Sequence, residues 1–559
     1  MTTQSFTIAL AQLNPTVGDV AGNARLVLEA REQAAALGAQ LMVPPELVIS
    51  GYPPEDLVLR PAFLDAVEKA VNQLAAATAD GGPGLLLGAP WSDKGKTHNA
   101  ILLLDGGKIV AQRFKHHLPN YGVFDEARVF QPGDMPGPMV FRGIRLGALV
   151  CEDMWFEDVT ETLAESGAEI LIVPNGSPYH VDKQNERLTH AVARVTETKL
   201  PLVYVQQVGG QDDLVFDGNS FVLNADRSLA VQMPAWKSAV TLTKWEKEKG
   251  GPGNKESWRC MPQALSPELG HCESIYHALM VGLRDYVGKN KFPGVVLGLS
   301  GGIDSAISAA IAADALGPDK VHCVMMPSPY TSQESLDDAA ECARLIGVKL
   351  DTISIEPAMN AYKNMLADQF ANTQPGITEE NLQSRARGIT LMALSNKFGK
   401  MVLSTGNKSE MSTGYATLYG DMCGGYCVLK DVYKTTVFEL SRWRNAHKPD
   451  GALGPSGRVM PENIITKPPT AELKPNQKDQ DTLPPYDVLD GILKSLIEDR
   501  AGIAAVTAKG YDAATVRRVY RMLKAAEYKR RQATPGVKIT KLAFGRDYRY
   551  PITNGFTDG

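Results

Sequence analysis

The sequence predicts an α/β protein built from two units, and three observations carry that prediction. Short apolar runs rich in Val, Ile and Leu alternate with segments of helical periodicity along the whole chain. The stretch Lys244–Ser257 is polar and contains Gly-Gly-Pro-Gly, the strongest linker signal present. Beyond it, strand and helix alternate in the order that calls for a doubly wound parallel sheet. At 559 residues the chain is long enough for two to four domains of about 100–200 residues each. We divide it into 1–243, a linker at 244–264, and 265–559.

In the first unit, apolar runs predict strands at Phe6–Leu13, Leu41–Val43, Leu85–Gly88, Ala100–Leu104, Ile109–Phe114, Leu146–Val150, Ile170–Val173, Leu202–Gln206 and Ser220–Asn224. Helical spacing marks Arg25–Leu37 and Asn185–Lys199. The second unit reads as helix Ser266–Val287, strand Gly294–Leu299, helix Asp304–Leu316, strand His322–Met326, helix Ser332–Ile346, strand Leu350–Ser354, helix Leu382–Phe398 and strand Met401–Ser404. Arg442–Pro461 and Thr466–Pro485 are rich in Gly, Pro and charge and read as mobile loops, the second placed to act as a substrate lid.

Composition removes several function classes. Hydrophobic residues make up 44% and charged residues 22%, which sets aside fibrous and disordered chains. Lys plus Arg number 58 against 63 Asp plus Glu, so the basic excess of a nucleic-acid scaffold is missing. Apolar runs such as Ile101–Leu104 fall far short of the roughly 18 residues that span a bilayer. Seven cysteines, odd in number and irregularly spaced, fit a reduced, cytoplasmic protein rather than a disulfide framework, and Cys423 and Cys427 lack the partners of a zinc site. The start of the sequence has neither a basic nor an apolar leader segment, so secretion is not expected.

The strand Val295–Leu299 runs into Ser300-Gly301-Gly302-Ile303-Asp304-Ser305 and then an alanine-rich helix. Adjacent glycines let backbone amides approach an anion, and the helix N-terminus adds its unsatisfied N–H groups. An oligophosphate is expected there. Asp304 would repel it unless a cation lies between, which implies Mg2+. The lysine of a Walker A loop is missing. The segment instead resembles the phosphate loop of ligases that release pyrophosphate from ATP. Leu403 to Glu410 again ends a strand in small and polar residues followed by a carboxylate, making Glu410 a second metal ligand beside Asp304. With Gly414–Asp421, Asp431–Thr435, Lys467–Thr470 and Glu527–Arg530, the order and spacing resemble the NAD synthetase family over about 265–545. That resemblance implies that Gly298, Leu299, Ser300, Gly301, Gly302, Ile303, Asp304 and Ser305 hold ATP, with Thr405, Lys434 and Thr470. It implies that Asn381, Arg385, Glu410, Asp421 and Lys529 contact deamido-NAD. Leu418 departs from the pattern, which tends to place a lysine there.

Three strands of the first unit end at ionisable residues: Glu46, Lys115 and Cys151. Amide hydrolysis through a thioester needs a nucleophilic thiol, a base and a positive group near the developing oxyanion. The trio, with Gly51-Tyr52-Pro53 and Pro174–Ser177, resembles the nitrilase superfamily over about 5–235. This implies an α-β-β-α sandwich in which Cys151 is the nucleophile, Glu46 the general base and Lys115 the supporting cation. Tyr121, Ser177 and Lys183 stand where glutaminase members hold glutamine.

A nitrilase-type amidase followed by an NAD synthetase resembles the glutamine-dependent members of the latter family. The expected function is ATP-dependent amidation of deamido-NAD, with ammonia released from glutamine and passed under shelter to an adenylylated intermediate. The expected partners are the small molecules glutamine, ATP and deamido-NAD, with no nucleic acid or membrane, in a homo-oligomer, an octamer by resemblance. Two rivals are a different acceptor, as in GMP or asparagine synthetases, and an ammonia-only synthetase with a silent N-terminal scaffold.

Overall fold

The computed structural model describes residues 4–248, 256–475 and 477–558. Its contacts separate two units: the first takes the chain up to Gln211 and Val215–Leu269, the second Asp212–Leu214 and Gly270 onward.

The first unit contains β1 (Ser5–Gln12), β2 (Leu41–Val43), β3 (Gly84–Asp93), β4 (Lys96–Asp105), β5 (Lys108–Phe114), β6 (Met139–Phe141), β7 (Ile144–Ala148), β8 (Ile170–Asn175), β9 (Leu202–Gln206), β10 (Val208–Gln211), β11 (Leu214–Asp217), β12 (Phe221–Leu223), β13 (Leu229–Gln232), β14 (Ala239–Glu248) and β15 (Ser257–Cys260). One sheet has the order β15-β14-β1-β2-β3-β4-β5 and the other β13-β12-β9-β8-β7-β6. The helices are α1 (Val20–Ala36), α2 (Pro61–Ala77), α3 (Glu126–Val129), α4 (Glu157–Glu165) and α5 (Lys183–Thr198).

Strand periodicity explains the layering. Phe6, Ile8 and Leu10 of β1 pack with Ile170 and Ile172 of β8 and Val203 and Val205 of β9 between the sheets. The alternate residues Ala9 and Ala11 meet Val27 of α1 and Val71 of α2, while Leu171, Val173 and Tyr204 meet Leu163 of α4 and Val195 of α5. The result is four layers, α-β-β-α. Two tight hairpins fix β3-β4-β5: Lys94 and Gly95 (φ 48° and 77°), then Gly106 and Gly107 (58° and 85°), supply the two positive φ values of a type I′ turn.

The expected linker takes a different form. Residues 249–255, with the Gly-Gly-Pro-Gly run, lie outside the described residues, but the flanks are β14 and β15, paired antiparallel at the sheet edge. Thr243, Trp245 and Trp258 are buried while Lys244, Glu246 and Glu248 face out. That polar outward face of β14, next to the edge strand β15, is what reads as linker. The division between the units falls at Leu269/Gly270.

The second unit carries β16 (Val295–Gly298), β17 (Val321–Met325), β18 (Lys349–Thr352), β19 (Met401–Ser404) and β20 (Tyr426–Cys427), with α6 (His271–Lys289), α7 (Ile303–Leu316), α8 (Gln333–Ile346), α9 (Glu356–Met365), α10 (Ile377–Phe398), α11 (Lys408–Thr413) and α12 (Lys434–Ala446). The sheet order β18-β17-β16-β19-β20 is parallel throughout. The order reverses between β16 and β19, so their carboxyl ends flank the crevice where ligands bind in such sheets. Arg442–Pro461 is not the free loop expected. Arg444, buried against Asp314 (Nε–Oδ2 2.6 Å), gathers the carbonyls of Pro455 and Gly457, and Val459 and Met460 are buried. Among the described residues no helix is long and apolar enough to cross a membrane, and all seven cysteines are free thiols.

Candidate active sites

The first centre forms where β2, β5 and β7 end. Cys151 opens the turn Cys151–Trp155 with φ 43° and is 3% exposed. A positive φ at a non-glycine residue costs of order 1–3 kcal/mol, so the surroundings must hold it. Asp153 does so: its Oδ2 accepts from Val150 N (3.1 Å), while Oδ1 accepts from His116 N (3.0 Å) and His117 N (2.8 Å). One carboxylate thus ties the cysteine turn to the end of the lysine strand. Burial pushes that carboxyl up to about 6.

Lys115 Nζ donates to Glu46 Oε1 and to Glu126 Oε1, both at 2.8 Å, and all three are buried. Asn99 Nδ2 bridges the same carboxylates (2.7 Å to Glu46, 3.3 Å to Glu126), Gly176 N donates to Glu46 Oε2 (2.8 Å), and Tyr52 OH donates to Glu126 (2.9 Å). Only glycine fits at 176, because a Cβ there would sit 2.8 Å from the Tyr52 ring. Burial first, and Glu46 next to it, push Glu126 up to about 7 despite Lys115. Burial works against the Lys115 charge, but Glu126 and Glu46 override it and hold the ammonium firmly. Burial, then Glu46, drive the Cys151 thiol well above the ordinary range. The resting sulfur is therefore protonated and needs a base.

The other expected residues gather nearby. Tyr121 OH donates to Glu152 (2.8 Å), beside Cys151. Lys183 opens α5, packs over the Trp155 ring at 4.2 Å and pairs with Glu186 at 3.0 Å, its basicity lowered by burial. Ser177 accepts Arg187 Nε at its hydroxyl (3.3 Å), with Arg187 anchored on Asp217 (2.7 Å). Glu126, Asn99 and Arg187 were missed by sequence reasoning. Glu126 lies in a four-residue helical turn with no local signature, and only the fold brings it to Lys115.

The second centre lies at the β16/β19 switch point. Gly301 turns the loop at φ 80°, and a Cβ there would meet the Ser335 carbonyl at 2.3 Å. Ser300 Oγ and Ser305 Oγ are 3.1 Å apart, and Ser305 Oγ donates to Gly302 O (2.9 Å). Two adjoining cavities, about 270 and 320 Å3, share Ser300, Gly302, Ile303, Ser305, Thr405 and Thr470. Gly298 and Leu299 line the first; Asp304, Asn381, Glu410, Lys434 and Lys529 line the second; Asp421 lines both.

Lys434 Nζ donates to Asp304 Oδ2 and lies 3.6 Å from Glu410 Oε1. Asn407 Nδ2 donates to Asp304 Oδ1 (2.9 Å). Burial, followed by the Asp304 charge, pushes Glu410 up to about 8. Two oxygen-donor carboxyl groups thus share one ammonium beside the Ser300–Ser305 loop. That hard oxygen-donor set fits a divalent cation such as Mg2+, whose charge would keep both groups ionised. Burial raises Asp479, another carboxylate of this cavity that accepts from Tyr486 OH at 2.8 Å. It is a further residue that sequence reasoning passed over.

Arg385 stands beside the cavity-lining residues of α10. The α10 stripe at 377, 380, 381, 384, 387, 388 and 391 faces the cavities. Arg385 flanks it and donates Nε to Leu418 O (3.2 Å), while Arg387 lines the first cavity. Asn381 accepts from Thr417 Oγ1 (3.0 Å), Thr417 N donates to Asp421 (2.7 Å), and Lys529 Nζ donates to Gly414 O and Ala416 O (2.8 and 2.6 Å). Burial pushes Asp421 up to about 6. The segment expected as a lid is tethered across the first cavity. Lys467 pairs with Asp338 (2.7 Å), Glu472 accepts from Ser332 and Ser335 (2.7 and 2.9 Å), and Leu473 O accepts from Gln383 (2.8 Å).

Residues 7–247 match the carbon-nitrogen hydrolase family and 275–533 the NAD synthase family. The chain is 51% identical to the glutamine-dependent NAD(+) synthetase of Rhodobacter capsulatus, with all of both chains covered. It is 43% identical to that of Thermotoga maritima, with 99% of each covered. The solved structure of the Acinetobacter baumannii glutamine-dependent NAD+ synthetase, in complex with ADP, superposes with a TM-score of 0.77 at 43% identity over all of both chains. With a buried Cys-Glu-Lys cluster in one unit and a phosphate loop with paired carboxylates in the other, the chain belongs to the glutamine-dependent NAD(+) synthetase family.

Proposed function

We propose that this chain forms NAD from deamido-NAD, ATP and glutamine, releasing AMP, pyrophosphate and glutamate. The observation that carries the reading is the pairing, on one chain, of a sealed thiol-carboxylate-ammonium cluster with a phosphate-loop cavity holding a second carboxylate pair.

In the first unit, Glu46 takes the Cys151 proton as sulfur attacks the glutamine amide carbon. Lys115 stabilises the oxyanion, and the proton passes to the departing ammonia. Water, deprotonated by Glu46, then opens the thioester to glutamate. Tyr121, Ser177 and Lys183 orient glutamine, and Glu126, Asn99 and Gly176 fix the base and the lysine. In the second unit, the loop amides, Ser300, Ser305 and Lys434 hold the ATP phosphates, with Thr405 and Thr470. Asn381, Asp421 and Lys529 position deamido-NAD, whose carboxylate attacks the α-phosphorus. Ammonia then attacks the acyl carbon and AMP leaves. Asp304 and Glu410 would hold Mg2+, which supplies charge neutralisation for departing pyrophosphate. Sheltered transfer of ammonia keeps it unprotonated; a cytoplasmic homo-oligomer completes the reading.

Labelling tests the intermediate. With 18O in the deamido-NAD carboxylate, AMP should carry one 18O atom. Unlabelled AMP, or AMP formation that depends on XMP or aspartate instead, would reject this reading.

A further inference from the structure

Directly after the catalytic lysine strand, His116 and His117 meet Asp158 of α4. One ligand atom from each lies within 4.8 Å of the others, and all three residues are partly exposed. The chemistry is preset for a metal at two of the three. His116 Nδ1 is 2.7 Å from Gly133 O. A carbonyl can only accept, so that nitrogen carries a proton and Nε2 is the ring nitrogen left to take a metal. An imidazole that donates its other N–H to a backbone carbonyl is how metal-bound histidines are usually oriented. Asp158 Oδ1 and Oδ2 lie 2.9 and 3.0 Å from His117 Nε2, a separation that a cation between them widens by a few tenths of an ångström. Phe156 packs against His117 at 4.2 Å between ring centroids, the rings tilted by 30°, and limits the ring's rotation.

We propose that His116, His117 and Asp158 form a binding site for a borderline divalent transition metal, Zn2+ in the first instance, with an exchangeable water completing four ligands. Two imidazoles and one carboxylate select zinc over magnesium or calcium, and a three-ligand site is open and reversible. On binding, His117 Nε2 takes the metal, and any proton it shares with Asp158 leaves to solvent. No covalent or redox step is involved.

The site's position gives it a regulatory consequence. The ligands follow Lys115 without a gap, and the amides of His116 and His117 both hang on Asp153 Oδ1, whose other oxygen holds Val150 N next to Cys151. Drawing the two rings and Asp158 onto one ion shifts the segment that sets both Lys115 and the Cys151 turn. Zinc is therefore a reversible inhibitor of glutamine use and spares synthesis from ammonium. This consequence rests on the glutaminase reading of the first unit; the metal site does not.

The test is Zn2+ titration of the full-length chain against a chromophoric chelator, beside Asp158→Asn, His117→Gln and Cys151→Ala. The site predicts one zinc per chain, bound at least tenfold more weakly in Asp158→Asn and His117→Gln, with Cys151→Ala unchanged. Bound Co2+ should show a tetrahedral nitrogen/oxygen spectrum without a thiolate band. Zinc that is lost in Cys151→Ala but retained in Asp158→Asn would overturn the site. Zinc that binds as stated yet leaves glutamine hydrolysis unaltered would overturn the regulation alone. If glutamine hydrolysis is absent without zinc, the glutaminase reading fails while the site stands.

Discussion

Each unit places one lysine between two carboxylates, and the two clusters behave differently because of what surrounds them. Around Lys115 the side chains are sealed: Glu46 and Lys115 are 0% exposed and Glu126 6%. Every donor there is an amide, a hydroxyl or the lysine itself, so the cluster is a fixed arrangement suited to moving a proton. Around Lys434, Asp304 and Glu410 keep 17% and 18% exposure and border a cavity of about 320 Å3. There the lysine holds in place two carboxyl groups that fit a cation, and it borders the cavity. On the proposed function, the same charge pattern serves proton transfer when dry and nucleotide chemistry when open.

Substitutions at the two clusters should separate these roles. The largest effect is expected from Glu46→Gln, which removes the base: glutamine hydrolysis should fall by about 10^2–10^4-fold. Ammonium-driven NAD formation should hold within about twofold, as followed by glutamate and NAD release. Asp304→Asn should lower AMP formation about 10^2–10^3-fold with either nitrogen source, a size typical of losing one preorganised charge at a phosphoryl centre. Equal damage to both nitrogen sources from Glu46→Gln would erase the distinction between the clusters.

Smaller effects sharpen it. Glu126 sits at about 7 against an ordinary 4.5, so the folded chain holds its proton while the unfolded chain releases it. Its stabilising share is full below pH 4.5 and is lost as pH rises through 7. Glu126→Gln should therefore gain in Tm relative to the parent between pH 4.5 and pH 8; a constant difference would place the proton elsewhere. Gly176→Ala should cost about 1–3 kcal/mol by overpacking against Tyr52, read in thermal unfolding, and impair only glutamine use. Glu472→Gln, which loosens the 466–485 segment from Ser332 and Ser335, should raise the KM for ATP several-fold with kcat little changed.

Much of this was legible in the residues. Buried strands announce themselves by apolar runs, and the Ser300–Ser305 loop carries its chemistry in six consecutive positions. Glu46, Lys115 and Cys151 were readable because each ends a strand, and strand ends on one edge converge. Glu126, Asn99 and Asp479 were not, since their roles arise from contacts across long sequence separations and their local sequence is ordinary. β14 and β15 escaped because a strand at the margin of a sheet with a charged outer face resembles a loop. That Arg385 flanks the cavity-facing stripe of α10 was not legible, because a helix shows which residues face a cavity only once a neighbouring face is known.

The most direct test is NAD formation by Cys151→Ala, measured in parallel with glutamine and with ammonium. The account predicts that glutamine-driven synthesis disappears while the ammonium-driven rate stays within about twofold of the parent. Undiminished synthesis from glutamine would contradict it at its root.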